Sequence, residues 1–295
     1  MGSIVKGFLG GGLGAKITID GTKVTENLNL TSTTIEERSV STLPYSYMDG
    51  EVLFYQNGIH ILGGGKDGTE HYIFKNSSWS SSGITLPFSF CCDPAVVFKN
   101  EIHLLGSYNA PTNHYKYDGS AWTSVSTLPY TLYDAGGIIY NNEIHILGSN
   151  TNGYNHYKWN GSAWTSISTL PYDYDAGDVV IYEDCIHLLG GCDVKTAHYK
   201  WDGSAWTSVS TLPIGLYGGE AVVYANKIHI LGGQSNNTAH YKWTGSKWVS
   251  VGTLPFVFDF GSSIVFDNEI HIMGSSSSSH NKKHYALGKT YYTKS

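Results

Sequence analysis

The chain has 295 residues, of which 14% are charged and 14% aromatic, and it carries 35 glycines, 22 tyrosines and a net charge of −6. This composition is typical of a soluble β-rich protein rather than a disordered one. Arg38 is the single arginine and no basic cluster is present, so the sequence predicts no nucleic-acid partner. No apolar run approaches the ~20 residues of a membrane span, and the start of the chain lacks a signal-peptide layout, so neither membrane insertion nor ordinary secretion is expected.

Residues 1–35 differ from the rest of the chain and are predicted to form an N-terminal arm that attaches the protein to something else. The segment from Gly7 to Gly14 is rich in glycine, and Asp20-Gly21 lies between two short β-type runs, a pattern that predicts a hairpin. A lone hairpin is marginally stable in water. The arm is therefore expected to dock on the remainder of the chain or on a partner protein.

From residue 36 onward the sequence repeats six times. An Ile-His dipeptide recurs in steps of 43 residues and then 42, at Ile59, Ile102, Ile144, Ile186, Ile228 and Ile270. A fixed period of this length is typical of propellers and solenoids, whose units bury their apolar faces against one another.

Each repeat predicts four short antiparallel strands, here called a to d. In the cleanest copy they cover residues 221–224, 227–231, 239–243 and 247–251, with a turn at Ala225-Asn226 and no helical periodicity. Because the strands alternate in direction, the b–c and d–a loops emerge on one face and the a–b and c–d turns on the other. The first face carries the loops that vary between copies, so it is the predicted binding face.

A typical copy has a first strand such as Ala-Val-Val-Tyr, a second strand followed by Gly-Gly, and then a spaced Tyr and Trp before a Pro. This pattern resembles the kelch repeat over about residues 36–292. Gly-Gly is replaced by Gly-Ser at Gly106, Gly148 and Gly274. The resemblance implies an all-β, six-bladed propeller with four antiparallel strands per blade, covering residues 36–295 as one domain. It implies no particular activity.

Closure of the ring has two candidate strands. Residues 36–44 align with residues 121–129, which predicts that an N-terminal strand completes the last blade and removes a free sheet edge. The C-terminal segment Tyr291 to Lys294 aligns with the same position and is the alternative.

Histidines and cysteines are predicted to be structural. Twelve histidines occupy two repeated positions on strands b and c, too far apart between blades for the ~2.0–2.1 Å bonds of zinc, so each is expected to be buried and hydrogen-bonded within its blade. The cysteines do not repeat and are expected to be free thiols. No metal or other cofactor is predicted. The four cysteines are Cys91, Cys92, Cys185 and Cys192.

The d–a loops combine aromatic and acidic residues near the predicted axis. Aromatic faces beside carboxylates suit sugars, because rings stack on C–H faces and acids accept bonds from hydroxyls. The residue after each Leu-Pro is expected to pack inward, and the others are predicted to contact a ligand. The predicted ligand residues are Tyr47, Asp49, Tyr133, Asp134, Tyr174, Asp175, Tyr217 and Asp259, with Tyr108 and Tyr154 farther out.

An enzymatic role is not predicted, and no catalytic residue is assigned. A sialidase needs several arginines, and a copper oxidase of the galactose-oxidase kind needs histidines near the axis, whereas these lie on strands b and c. The near-identical copies, polar surface and Gly-rich start resemble a bacteriophage or prophage tail, baseplate or head-fibre protein. That resemblance implies a virion component, made in the bacterial cytoplasm, that binds a host-surface glycan or protein. The alternatives are a cytosolic bacterial kelch scaffold for other proteins and an extracellular carbohydrate-binding module.

Overall fold

The chain folds into a six-bladed β-propeller. The computed structural model describes residues 4–5, 18–19, 22–23, 34–233 and 236–293, with side chains from 37 to 233 and from 236 to 288. Every regular element in these ranges is a strand. The described residues include no helix with the length and hydropathy of a membrane span. The predicted all-β class, six blades and four antiparallel strands per blade are confirmed.

The strands before the first blade are β1 (Ile4–Val5), β2 (Thr18–Ile19), β3 (Thr22–Lys23) and β4 (Thr34–Thr42). The first two blades contain β5 (Glu51–Tyr55), β6 (Gly58–Leu62), β7 (His71–Lys75), β8 (Ser78–Ser81), β9 (Ala95–Phe98), β10 (Glu101–Leu105), β11 (Asn113–Tyr117) and β12 (Trp122–Thr127). The next two contain β13 (Gly136–Tyr140), β14 (Glu143–Leu147), β15 (Asn155–Trp159), β16 (Trp164–Thr169), β17 (Asp178–Tyr182), β18 (Cys185–Leu189), β19 (Ala197–Trp201) and β20 (Trp206–Thr211). The last two contain β21 (Glu220–Tyr224), β22 (Lys227–Leu231), β23 (Ala239–Trp243), β24 (Trp248–Thr253), β25 (Ser262–Phe266), β26 (Glu269–Met273) and β27 (Lys283–Thr293).

Strand a of each blade is the innermost. These strands contact one another in the cyclic order β5, β9, β13, β17, β21, β25 and back to β5. In the fifth blade, strands b and c match their predicted bounds. Strand a begins one residue earlier, and strand d runs from Trp248 to Thr253 rather than over residues 247–251. The shift of strand d follows from the wide turn before it, where Thr244 Oγ1 accepts a hydrogen bond from the Lys247 amide.

The N-terminal strand β4 is the outer strand of the sixth blade. It pairs with β27 from Thr42 opposite Lys283 to Thr34 opposite Tyr291. The C-terminal Tyr291 therefore continues strand c of that blade instead of forming a separate outer strand. Of the arm, β2 pairs with β3 and β1 pairs with the end of β27. The predicted turn at Asp20-Gly21 lies outside the described residues. The Gly-rich segment from Gly7 to Gly14 lies outside the described residues.

An ion pair ties β4 to the sixth blade. The Arg38 guanidinium donates two hydrogen bonds to Glu269, whose side chain is 1% exposed. In the second and third blades the same glutamate position pairs with a lysine of strand c, as in Lys116 with Glu101 at 2.9 Å. Strand c of the sixth blade carries Ala286 at that position, opposite Arg38 in the register. The arginine of the closing strand thus replaces the missing lysine.

The histidines are structural, as predicted. All twelve are buried, and in each blade the Nδ1 of the strand b histidine lies 2.8–3.0 Å from the Nε2 of the strand c histidine. In four blades the second histidine also bonds a serine on strand d, which accepts a bond from the tryptophan Nε1 of the next blade. His156, Ser168 and Trp206 form one such chain, with distances of 2.9 and 3.2 Å. These chains join neighbouring blades through the interior.

The first residue after strand b is glycine in every blade, because it packs closely against the loop that leads to the next blade. Gly148 has a φ of +61°, and a Cβ there would lie 2.1 Å from the carbonyl oxygen of Tyr174. Only glycine fits such a position without displacing backbone. The second position tolerates serine because Ser149 Oγ donates to the Thr131 carbonyl and accepts from the Tyr133 amide. This explains the Gly-Ser variants of the repeat.

Candidate binding site

The d–a loops bring the candidate residues to the axis at the face that also carries the b–c loops, here called the mouth face. The third residue after each Leu-Pro is fully buried in all six loops. Tyr47 and Tyr174 occupy this position, and each is 0% exposed. The Tyr47 hydroxyl lies 2.8 Å from Ser262 Oγ inside the protein. A ring with no exposed surface cannot stack on a ligand, so the predicted ligand role of these two tyrosines is wrong.

The fifth residue after each Leu-Pro forms a closed ring of hydrogen bonds around the axis. Each of these residues donates its backbone N–H to the carbonyl of its counterpart in the preceding blade, at 2.7–3.4 Å, and the Asp49 amide closes the circle on Phe260. We call this set the mouth ring. Its members are Asp49, Cys92, Asp134, Ala176, Gly218 and Phe260. The ring fixes the width of the axial opening through the backbone alone.

Every residue of the mouth ring has a left-handed backbone, with φ between 49° and 66°. Five of the six are not glycine. Asp tolerates this region better than most residues, but Ala176 and Phe260 do not, and each strained residue costs about 1–3 kcal/mol. Strain of this kind persists only where the surrounding structure fixes it, and here the closed hydrogen-bond ring does so. Such outliers cluster at functional sites.

An axial pocket of about 140 Å³ lies at and beneath the mouth ring. Its lining includes six carboxyl side chains and no lysine, arginine or histidine. A cavity of this size admits several waters or one small organic molecule, since an engineered cavity of about 150 Å³ holds benzene. The six acids are Asp49, Glu51, Asp93, Asp134, Asp178 and Glu220.

The two acids at the mouth have pKa values close to neutrality. Burial, and then the charges of Asp134 and Asp259, raise the pKa of Asp49 to about 7. Burial and the charge of Asp175 raise the pKa of Asp134 to about 6. At pH 7 these carboxyls are therefore partly protonated, and a protonated carboxyl both donates and accepts hydrogen bonds.

Three of the deeper acids bridge neighbouring blades. Asp178 accepts from the Ala221 amide, and Glu220 accepts from the Ser263 amide at 3.1 Å. Glu51 accepts from the Val52 amide at 2.9 Å and, more weakly, from the Ala95 amide at 3.4 Å. Burial raises the pKa of Glu51 to about 8 and that of Asp178 to about 7, against the opposing effect of these amides. These carboxyls satisfy N–H groups at the inner edges of the blades.

Asp175 and Asp259 anchor the b–c loops to the d–a loops. Asp175 accepts from the Cys192 amide at 3.2 Å, and Asp259 accepts from Ser275 Oγ and Ser276 Oγ at 2.9 and 2.8 Å. Both lie on the mouth face, as predicted from strand direction. Part of their hydrogen-bonding capacity is therefore already used within the protein.

The exposed aromatic surface of the mouth face centres on Tyr108 and Tyr133. Their ring centroids are 5.2 Å apart, and Tyr108 is 64% exposed. Tyr133 lies within the electrostatic influence of Asp134 and Asp49, so it lies beside the mouth ring. Tyr108 packs directly on Tyr133, so the two rings form one surface, and the position of Tyr108 farther from the axis stays a prediction.

Two further tyrosines lie on this face. Tyr217 packs edge-on against Phe260, with centroids 5.5 Å apart, and Lys195 Nζ lies 5.4 Å from its ring centre. Tyr154 is 51% exposed on the b–c loop of the third blade. The structure therefore brings Tyr133 and Tyr217 to the opening with Asp49 and Asp134.

The buried acids of the axial pocket were not predicted. Glu51, Asp178 and Glu220 are the first residues of their strands a, two positions after the mouth ring, and Asp93 lies one position after it. An alignment of the six copies would have singled out Asp93, because it is the only acid at its position. The six residues at that position are Gly50, Asp93, Ala135, Gly177, Gly219 and Gly261. The four cysteines have free thiols, and Cys91 and Cys92 are adjacent at the mouth.

A scan against protein-family models finds no match, and a search of curated proteins finds none either. The kelch resemblance therefore stays a prediction. A solved structure titled "Structure of YjhT" is similar, with a TM-score of 0.72 and 16% sequence identity over 85% of this chain and 96% of that chain. At this low identity the likeness shows the fold alone. It supports the architecture found here, a six-bladed β-propeller.

Proposed function

We propose that this protein is a non-enzymatic binding module that holds a neutral glycan on its mouth face. The observation that carries the proposal is the Tyr108–Tyr133 pair beside the mouth ring, in which Tyr108 is exposed and Tyr133 is half-buried. Tyrosine rings offer large, rigid contact surfaces with a polar tip, which suits the apolar faces and hydroxyls of a sugar. Rings held against each other lose little freedom on binding, so the surface is already arranged for a ligand.

The carboxyls at the opening complement this surface. Asp49 and Asp134 have pKa values of about 7 and 6, so at neutral pH each can donate to or accept from a hydroxyl. The axial lining carries acids and no basic side chain, so an anionic polymer would be repelled. These charges favour an uncharged glycan over an acidic one.

A catalytic role built on arginines, as in a sialidase, finds no support at this opening. Arg38, the single arginine, lies on β4, the outer strand of the sixth blade, which is the strand farthest from strand a. Its side chain pairs with Glu269. A site built on an arginine cluster for an acidic sugar would need several such groups at the axis. We therefore propose binding without turnover.

The test is adsorption to an array of immobilised neutral oligosaccharides by wild type and by a Tyr108→Ala/Tyr133→Ala double variant. The matched control is Phe54→Ala, because Phe54 is 46% exposed and pairs with Phe266 at 5.7 Å near the a–b turns on the opposite face. We expect the double variant to lose binding at least tenfold with its fold intact, and the control to bind as wild type. Binding should change little between low and high salt.

Two results would contradict the proposal. Retained binding in the double variant together with lost binding in Phe54→Ala would place the site on the opposite face. A steep fall in binding with added salt would indicate a charged ligand.

We further propose, from the sequence resemblance, that the chain is a virion component that attaches through residues 1–35 to another virion protein. The support is the repeated, polar character of the copies and the separate arm. Finding the gene beside tail or capsid genes, and the protein in purified particles, would support this. A gene in a cellular operon and a protein confined to the cytoplasm would favour the scaffold alternative.

A further inference from the structure

Asp93 stands apart from every other residue lining the axial pocket. It is 6% exposed, and neither of its carboxylate oxygens has a hydrogen-bond partner among the described residues. The Ala135 amide lowers its pKa somewhat but does not reach hydrogen-bonding geometry, and burial raises that pKa well above the usual range. A buried carboxyl without partners is unfavourable, since such groups cost several kcal/mol of desolvation. The side chain is therefore retained at a cost to folding.

The fold itself does not require an acid at this position. The other five blades carry Gly50, Ala135, Gly177, Gly219 and Gly261 in its place. Blades of the same structure form with no side chain there beyond a methyl group. The neighbouring acids differ in this respect, because Asp178, Glu220 and Glu51 each accept a backbone N–H of an adjacent blade.

We propose that the axial pocket binds a small primary ammonium group, with Asp93 as its main acceptor. The lining supplies several carboxyl groups and no competing cation. Burial favours the neutral carboxylic acid in the empty pocket, whereas a cation beside it favours the carboxylate, so binding ionises Asp93 and releases its proton. An ammonium carries three N–H donors, and its attraction to a carboxylate is stronger in a partly buried site than in bulk water. The pocket volume of about 140 Å³ admits methylammonium with room for water.

A metal ion is the obvious rival ligand, and the geometry argues against it. Within residues 37–233 and 236–288, no three His, Cys, Asp or Glu side chains converge as metal ligands do. Calcium and magnesium require about six or more oxygen ligands at 2.0–2.6 Å. An ammonium can be held by a single carboxylate together with water, so it does not require several carboxyls to converge.

This inference does not rest on the glycan proposal. The Tyr108–Tyr133 pair is not part of the pocket lining, whereas Asp93 lines the pocket beneath the mouth ring. Loss of glycan binding in the tyrosine variant would leave methylammonium binding unchanged. Loss of methylammonium binding in an Asp93 variant can likewise be measured with no glycan present.

The test is thermal unfolding of the full chain at pH 7.5 with methylammonium chloride, compared with sodium chloride at the same ionic strength and with methanol as the uncharged counterpart. A ligand that binds only the folded state raises the unfolding temperature, and the stabilisation grows with the logarithm of 1 + [L]/Kd. The variant is Asp93→Ala, which copies Ala135 of the third blade. The matched control is Asp118→Asn, which copies Asn160 at an exposed c–d turn and likewise replaces one aspartate with the residue of another repeat.

We expect methylammonium to stabilise wild type and Asp118→Asn, and Asp93→Ala to bind it at least tenfold more weakly. Without ligand, Asp93→Ala should melt at a higher temperature than wild type, because the unpartnered carboxyl is gone. An equal response of wild type and Asp93→Ala would overturn the proposal, as would a response matched by sodium chloride. Stabilisation by magnesium or calcium but not by methylammonium would also overturn it. If Asp93→Ala does not fold, Asp93→Asn provides the same comparison.

Discussion

Replacing Arg38 with alanine tests whether the N-terminal strand closes the ring. The substitution removes the guanidinium that offsets the charge of Glu269, whose side chain is 1% exposed. Arg38 itself is 44% exposed, so the cost should lie below the about 3–5 kcal/mol of a fully buried pair and near the about 1–3 kcal/mol of a buried acceptor that loses its partner. For a domain of this size, each kcal/mol lowers the melting temperature by about 2–4 °C, so we expect a decrease of roughly 2–12 °C.

The chain contains a matched control and a rescue. Lys116 pairs with Glu101 in the second blade at 2.9 Å, but the two side chains are 36% and 27% exposed. Lys116→Ala should therefore cost only about 0.2–1 kcal/mol. Adding Ala286→Lys to Arg38→Ala should restore part of the loss, because it recreates the lysine and glutamate pair of the second blade.

Thermal unfolding followed by circular dichroism at pH 7 measures all four proteins. A loss below about 1 kcal/mol in Arg38→Ala, or one no larger than in Lys116→Ala, would show that the Arg38–Glu269 pair does not hold β4 in place. The closing role would then rest on backbone pairing alone.

Three other perturbations test the interior of the blades. Trp164→Ala should cost about 3 kcal/mol in urea unfolding, since it removes half-buried aromatic area and the hydrogen bond to Ser126; a loss under 1 kcal/mol would contradict the blade interface. Gly148→Ala should destabilise by several kcal/mol or prevent folding, because its Cβ would clash with the Tyr174 carbonyl. Gly245 has a φ of +99° but a Cβ there meets nothing within 4 Å, so Gly245→Ala should cost only the backbone strain of about 1–3 kcal/mol; equal losses would refute the packing argument. Burial lowers the pKa of eleven histidines to about 3 or 4 in the folded protein. Below the histidine pKa of the unfolded chain, about 6.5, the unfolded chain therefore binds more protons than the folded one. The free energy of unfolding should fall from there towards pH 4, by up to about 1.4 kcal/mol per pH unit for each histidine. The urea midpoint should be lower at pH 5 than at pH 7, although the raised pKa values of Glu51 and Asp178 act in the opposite direction; an unchanged or higher midpoint at pH 5 would count against the neutral histidine pairs.

The fold was predictable because the repeat states the same local pattern six times. Strands b and c of the fifth blade match their predicted bounds, since the Ile-His and His-Tyr positions fix their alternation. The register of strand d was one or two residues off, because the Thr244 turn takes up residues that look strand-like. The repeat period and the turn-forming residues are therefore enough to predict a six-bladed propeller from the sequence.

The site was predicted only in part, and the reason lies in one residue of register within the d–a loops. Tyr47 and Tyr174 are three residues after the proline and point into the core, whereas Tyr133 is four residues after it and lies at the surface. Aromatic content alone cannot distinguish these positions. The mouth ring escapes sequence analysis for a different reason, since it is made of backbone groups that any residue provides.

Hydrogen exchange followed by mass spectrometry, with and without a bound neutral oligosaccharide from the array, tests the central claim most directly, namely that the mouth face is the binding face. We expect bound oligosaccharide to slow amide exchange in the loops that carry Tyr108, Tyr133 and Asp134. Exchange should not change at the turns of Asp118, Asn160 and Asp202 on the opposite face. Protection confined to those turns, with unchanged exchange around Tyr133, would contradict it.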